Sequence, residues 1–201
     1  MPMTVTTKSK SWPMKIGGVF LLISFSAAMH AIEPSSSRPM AEMEGGCENF
    51  AMPLKTEMAL WDKPELRVQG AQDDRSTTTL PSGKKINLGL YPQKKVNLSV
   101  KPEKDFTAKG DLAFAGLATM EVKNDGLYRV ALGSKVWLDL IEASVDDSSA
   151  KIVSPVRFEM QTGCKKIFKA VEYNLKGGKK YFLQISSSRE PTIQVLTNFL
   201  K

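Results

Sequence analysis

The chain has 201 residues, 42% of them hydrophobic and 24% charged, with a formal net charge of +7, two cysteines and one histidine. That is enough chain for one domain with a real hydrophobic core, and nothing in it calls for a second. The positive excess is mild and not interleaved with aromatics, which excludes the strongly basic pattern of a nucleic-acid binder.

Lys8, Lys10 and Lys15 lead into an apolar run at 16–29 that ends in small residues. A basic segment, an apolar stretch of roughly 7–15 residues and a small-residue cleavage site make an export signal. The run is short of the about 20 apolar residues that span a bilayer. Cleavage is expected after Ala28, with Ser26 and Ala28 as the small pair, or after Ala31; an uncleaved anchor over 12–29 is the competing reading. Residues 1–31 would then be a signal peptide, and the mature protein would be periplasmic or extracellular with no remaining membrane span. Removing 1–31 takes away three lysines and no acid, so the +7 falls to +4. Cleavage after Ala31 also removes His30, the single histidine. A mature chain without histidine excludes a histidine-bound zinc site, a two-histidine-one-carboxylate iron site and a Ser-His-Asp triad.

Residues 32–46 are rich in Pro, Ser, Glu, Met and Gly, lack apolar periodicity and read as a flexible lead-in. Over 54–61, Leu54, Met58 and Trp61 fall on one helical face behind Pro53, which predicts a short helix ending near Asp62-Lys63-Pro64. Residues 69–79 are polar and read as a loop. From Leu80 the period becomes two. Ile86, Leu88 and Leu90 predict one strand and Val96, Leu98 and Val100 another, joined by a turn at Tyr91-Pro92-Gln93-Lys94. Strands are also expected over 112–120, with Gly116 marking a bulge or close backbone approach, and over 127–132, 136–141, 151–153, 156–160, 167–175, 181–185 and 192–197. Lys123-Asn124-Asp125-Gly126 and Lys176-Gly177-Gly178-Lys179 predict hairpin turns, since Asn, Asp and Gly tolerate positive φ. Many short strands with turns every 8–12 residues indicate an all-β fold, an antiparallel, jelly-roll-like β-sandwich with one short N-terminal helix, forming a single domain over 47–201.

Cys47 and Cys164 survive cleavage, and an even, minimal count in an oxidising compartment argues for one disulfide pinning the helix to the end of the sandwich. Asp139, Glu142, Asp146 and Asp147 form a carboxylate cluster that would suit Ca²⁺, a glycosidase-like acid–base pair, or simply an outward strand position followed by a polar turn. Met40 and Met43 have a Met-x-x-Met spacing suited to Cu(I), with Cys47 nearby. Trp137 alternates with Asp139 on one strand face; together with Tyr128 they make a candidate ligand face for a sugar, the alternative being a tryptophan buried under the helix. The pairs Lys84-Lys85, Lys94-Lys95, Lys165-Lys166 and Lys179-Lys180 read as solvated strand ends or an anion-binding stripe.

Cys47-Glu48-Asn49-Phe50-Ala51-Met52-Pro53-Leu54 resembles the start of the mature region in a family of small exported bacterial proteins of unknown role, some labelled homogentisate 1,2-dioxygenase. Gly126-Leu-Tyr-Arg-Val, Val136-Trp-Leu-Asp-Leu, Cys164-Lys-Lys and Gly178-Lys-Lys-Tyr-Phe-Leu-Gln-Ile-Ser are similar to the same family, and more loosely to bacterial pre-peptidase C-terminal and carbohydrate-binding sandwich modules. Met52 departs from the aromatic expected before Pro53. The resemblance implies an exported sandwich and supplies no catalytic motif. The dioxygenase label conflicts with the residues, because that iron chemistry rests on a histidine-rich site. The expectation is a non-catalytic binding or structural protein of the cell envelope, with no cofactor and no catalytic residue, whose partner is a glycan or an envelope component. A carboxylate-based enzyme acting on glycans and a copper-binding protein are the alternatives.

Overall fold

The computed structural model describes residues 43–102, 113–143 and 150–201. The expected signal peptide, His30, Met40 and the Asp146-Asp147 pair lie outside the described residues.

A 3₁₀ turn at Cys47–Asn49 leads to α1 (Lys55–Trp61), flanked by Leu54 and Asp62. Twelve strands follow among the described residues: β1 (Leu66–Gln69), β2 (Thr79–Leu80), β3 (Lys85–Gly89), β4 (Tyr91–Pro92), β5 (Phe114–Met120), β6 (Gly126–Leu132), β7 (Trp137–Glu142), β8 (Lys151–Ile152), β9 (Arg157–Met160), β10 (Lys169–Leu175), β11 (Tyr181–Ser188) and β12 (Thr192–Phe199). They make two sheets, one ordered β1-β3-β12-β6-β10-β9 and the other β2-β5-β11-β7-β8 with β4 also on β5. Pairing is antiparallel except at two places, where β1 joins β3 and β2 joins β5 in parallel.

Alternation along the strands decides what each sheet buries. Ile86 and Leu88 of β3, Val130 and Leu132 of β6, Val171 and Tyr173 of β10 and Ile193 and Val195 of β12 join Met120, Leu140, Leu183 and Ile185 of the second sheet in one core cluster. The opposite face of the first sheet is covered as well. Ala131, Ala170 and Leu196 pack there with Phe50, Met52, Leu54 and Trp61, and the small alanines leave room for the chain to lie close. The Cys47–Cys164 disulfide joins that N-terminal cover to the β9–β10 connection, with Cα atoms 4.4 Å apart.

Residues 96–100 do not form the expected strand. Gln93–Lys95 is a 3₁₀ turn, and beyond it the backbone bonds outward: Asn97 N–H to the Gln72 carbonyl and Val100 N–H to Gln184 Oε1. None of these residues is buried, so the alternation of Val96, Leu98 and Val100 has no core to face.

Neither Asn-Asp-Gly nor Lys-Gly-Gly-Lys closes a hairpin. Each carries the chain from one sheet to the other, β5 to β6 and β10 to β11. The two crossings pack side by side. Gly177 N–H donates to Asp125 Oδ1 at 2.8 Å, Lys176 Nζ to Asp125 Oδ2 at 2.9 Å, and Gly178 N–H to the Val122 carbonyl. The Lys176 ammonium, then the Gly177 amide, hold the Asp125 carboxyl below its usual range. Gly116 sits where the β5–β11 register shifts after Ile185, and a Cβ there would press on Leu90 at 3.1 Å, which explains the missing side chain.

Candidate functional site in the cleft beside β7 and β10

β7 lies between β11, which pairs with it from Trp137 to Glu142, and the short β8, which among the described residues pairs with Ile141 and Glu142, Val153 N–H adding a bond to the Leu140 carbonyl. Leu138 and Leu140 pack with the common core. Trp137 and Asp139, two residues apart, point the other way and meet: the indole Nε1–H donates to Asp139 Oδ1 at 3.0 Å. Asp139 is only 7% exposed. Gln184, directly opposite on β11, donates its Nε2–H to Asp139 Oδ2 at 3.1 Å and to the Val100 carbonyl at 2.9 Å. The carboxylate is thus held by hydrogen bonds rather than left as a buried, unpaired charge.

Lys169 begins β10 at a register that otherwise carries Val171, Tyr173 and Leu175 into the core. Its ammonium donates to the Val136 carbonyl at 3.0 Å and lies 6.0 Å from the Trp137 ring centre. Burial pushes this amine down to about 8; the Asp139 charge opposes the fall and Lys135 adds to it. Burial also raises the Tyr173 phenol, reinforced by Asp139.

These groups border a cavity of about 330 Å³, where Val153 and Pro155 from the β8–β9 connection, Phe158 of β9 and Val171 supply the apolar wall. That volume is at the lower end of the ~300–1,000 Å³ usual for small-molecule sites. Ile152 on that wall is 50% exposed. A larger open depression of about 510 Å³ lies along β1 and β3, lined mainly by Arg67, Gln69, Asn87 and Thr192, without such an apolar wall.

No family model and no curated protein matches this chain.

The structure brings together two of the three residues of the expected ligand face. Tyr128 is elsewhere: it is 2% exposed in the core, packs on Phe199, and its hydroxyl is engaged with the Asn124 backbone. The tryptophan buried with α1 is Trp61, not Trp137, which is half-buried. Asp139 and Glu142 do not converge. Three residues apart on one strand they face opposite sides, and Glu142 pairs with Lys179. Cys47 is committed to its disulfide, Met43 offers its backbone carbonyl to Thr162, and Met52 and Met58 pack around α1. Among the described residues no group of three or more His, Cys, Asp or Glu side chains is placed to hold a metal, and no helix is long and apolar enough to cross a membrane. Of the paired lysines, Lys166 binds Asp62 and Lys179 binds Glu142.

Lys169 is the site residue that sequence reasoning passed over. Its signal was present, since Lys169, Val171, Tyr173 and Leu175 share one parity and a lysine in an apolar register must either reach solvent or enter a cavity.

Proposed function

We propose that this chain is an exported, non-catalytic binding protein of the envelope or extracellular space, built as a jelly-roll-like sandwich that takes a small ligand in the cleft between β7 and β10. The observation that carries the reading is the convergence of an apolar wall, partly exposed at Ile152, and three anchored polar groups, Trp137, Asp139 and Lys169, on one cavity. Few polar groups in an apolar pocket is the usual composition of a ligand site, the polar groups fixing orientation. A core fed by both sheets supports the sandwich. The Cys47–Cys164 disulfide supports export, because such bonds persist in oxidising compartments. The signal-like segment at 8–29 and the likeness of 47–54 to small exported bacterial proteins agree with it.

A saccharide stacked on Trp137 beside Asp139 is the second reading, favoured by the partial exposure of that ring. One experiment addresses both. Amide and side-chain NMR spectra of the oxidised protein are recorded against a library of small apolar acids, amines, alcohols and oligosaccharides. Saturable shifts confined to Trp137, Val153, Phe158 and Lys169 are expected. Shifts that cluster elsewhere, or no saturable response at all, would overturn the assignment of this cleft.

A further inference from the structure

Resting on the cleft reading, we infer that its ligand is a small apolar carboxylic acid whose carboxylate pairs with the Lys169 ammonium while its hydrocarbon part lies against Phe158, Val153 and Val171.

Charge complementarity selects the acid. The Lys169 ammonium has three N–H donors, and the structure gives one to the Val136 carbonyl at 3.0 Å. A carboxylate entering from the mouth can accept from the others in a partly desolvated setting, where a charge-assisted hydrogen bond is about twice as strong as a neutral one. The nearby carboxylate does not forbid this anion. Asp139 already accepts from Trp137 Nε1 and Gln184 Nε2, while Lys135 contributes a second positive charge near the amine.

The same groups disfavour the other ligand classes. A cation would sit beside Lys169 and Lys135 and would compete with two existing donors for Asp139. A neutral polar ligand would leave the ammonium's remaining donors poorly matched and place hydroxyls against an apolar wall, each at a desolvation cost. The volume restricts the hydrocarbon part to a small ring or short branched chain. Ile152, half-exposed on the cavity wall, adds apolar surface without adding charge. The feature doing the selecting is the position of one amine at the first residue of an otherwise core-facing strand register.

The test uses 4-phenylbutyrate, its isosteric amide 4-phenylbutyramide and 4-phenylbutylamine, titrated into the oxidised mature protein and followed by tryptophan fluorescence, with Trp137→Phe as the control that assigns the change, and by calorimetry. With the native chain the carboxylate is expected to bind at least tenfold tighter than the amide, with the amine weakest. Lys169→Met should abolish that discrimination by weakening the acid to the level of the amide, and Lys169→Arg should retain most of it. Amide binding that is unchanged in Lys169→Met shows that the variant is folded and the cavity intact. If acid and amide bind equally to the native protein, or Lys169→Met keeps the tenfold preference, the carboxylate assignment falls while the cleft stands. If none of the three probes binds saturably, both fall.

Discussion

Arg129 Nη1 lies 2.8 Å from Glu57 Oε2, joining the middle of β6 to the buried side of α1 through an arginine only 3% exposed. The other edge of the same guanidinium meets Glu172 of β10, Nη1 also donates to the Pro53 carbonyl, and Asn198 of β12 donates to Glu57. One arginine thus ties the helix, its lead-in and two strands on the outward face of the first sheet. Removing it strands two carboxylates under the helix. Arg129→Met is expected to destabilise the fold by about 3–5 kcal/mol in urea unfolding, the usual cost of breaking a buried pair from one side. Replacing Glu57, Arg129 and Glu172 together by apolar residues of similar volume should cost much less, because no orphan charge remains. A single-site loss below about 1 kcal/mol would refute the network's role.

The disulfide acts on the same cover from its other end. Cys47 and Cys164 are 117 residues apart, and closing a loop of that length removes enough unfolded-chain entropy to stabilise the fold by about 4–5 kcal/mol on the chain-entropy model. Cys47→Ser with Cys164→Ser should lose a comparable amount. Its effect should be greatest in the N-terminal cover, seen as faster amide exchange at Asn49 and Met52, whose neighbours Gln161 and Glu159 bond the incoming chain. Exchange that rises equally in β11 and β12 would argue against a local cover.

Periodicity carried the elements but not their pairing. α1 and strands β3, β5–β7 and β9–β12 follow from apolar spacing that core burial rewards directly, and the Cys47–Cys164 bond follows from an even count of two together with the expected export. β1 was silent because its residues are mostly exposed, so no alternation marks it. The turn chemistry at Gly126 and Gly178 is real, with φ of 146° and 76°, yet such residues show only that the chain reverses and not which sheet receives the next strand. At the site, alternation paired Trp137 with Asp139 correctly, but Lys169 comes from a strand of the other sheet. Only the tertiary packing brings them together.

Gly126 and Gly178 differ in what surrounds them. A Cβ at Gly126 would stand 2.2 Å from the Lys201 carbonyl oxygen, whereas one at Gly178 meets nothing within 4 Å. Gly178→Ala should cost about 1–2 kcal/mol, the left-handed penalty alone. Gly126→Ala should exceed it, displace the Lys201 carbonyl that accepts from Leu127 N–H, and loosen the end of β12. Thermal unfolding of the two variants side by side checks the order, and equal losses would show that the Lys201 contact yields freely.

Gln184 holds Asp139 and both backbone groups of Val100 with one side chain. Gln184→Leu keeps the volume and removes every donor and acceptor, so it is expected to destabilise by about 1–3 kcal/mol and to speed amide exchange at Val100. Gln184→Glu keeps the shape but sets a second carboxylate against Asp139, so at pH 7 its loss should exceed that of Gln184→Leu. A Gln184→Leu variant with native stability would show that the 96–100 segment is held without it.

The Lys169 amine gives the site a signature in the pH dependence of stability. Its folded value of about 8 lies below its ordinary 10.5, so between these values the unfolded chain holds the proton that the native chain has released. Stability therefore rises with pH across that window through this residue: the cost of the desolvated ammonium is fully present below about pH 8 and is relieved above it. Asp139 and Lys135 are the charges that act on the amine, and the Tyr173 phenol, which lines the same cavity and is raised by burial, acts in the opposite sense only once pH passes the ordinary tyrosine value of 10. The comparison is thus made between pH 7 and pH 9.5, by urea unfolding of the native chain and Lys169→Met. Across this range the gap between them should change in favour of the native chain as pH rises. A pH-independent gap would place the ammonium in bulk solvent and remove the physical basis for its role in the cleft.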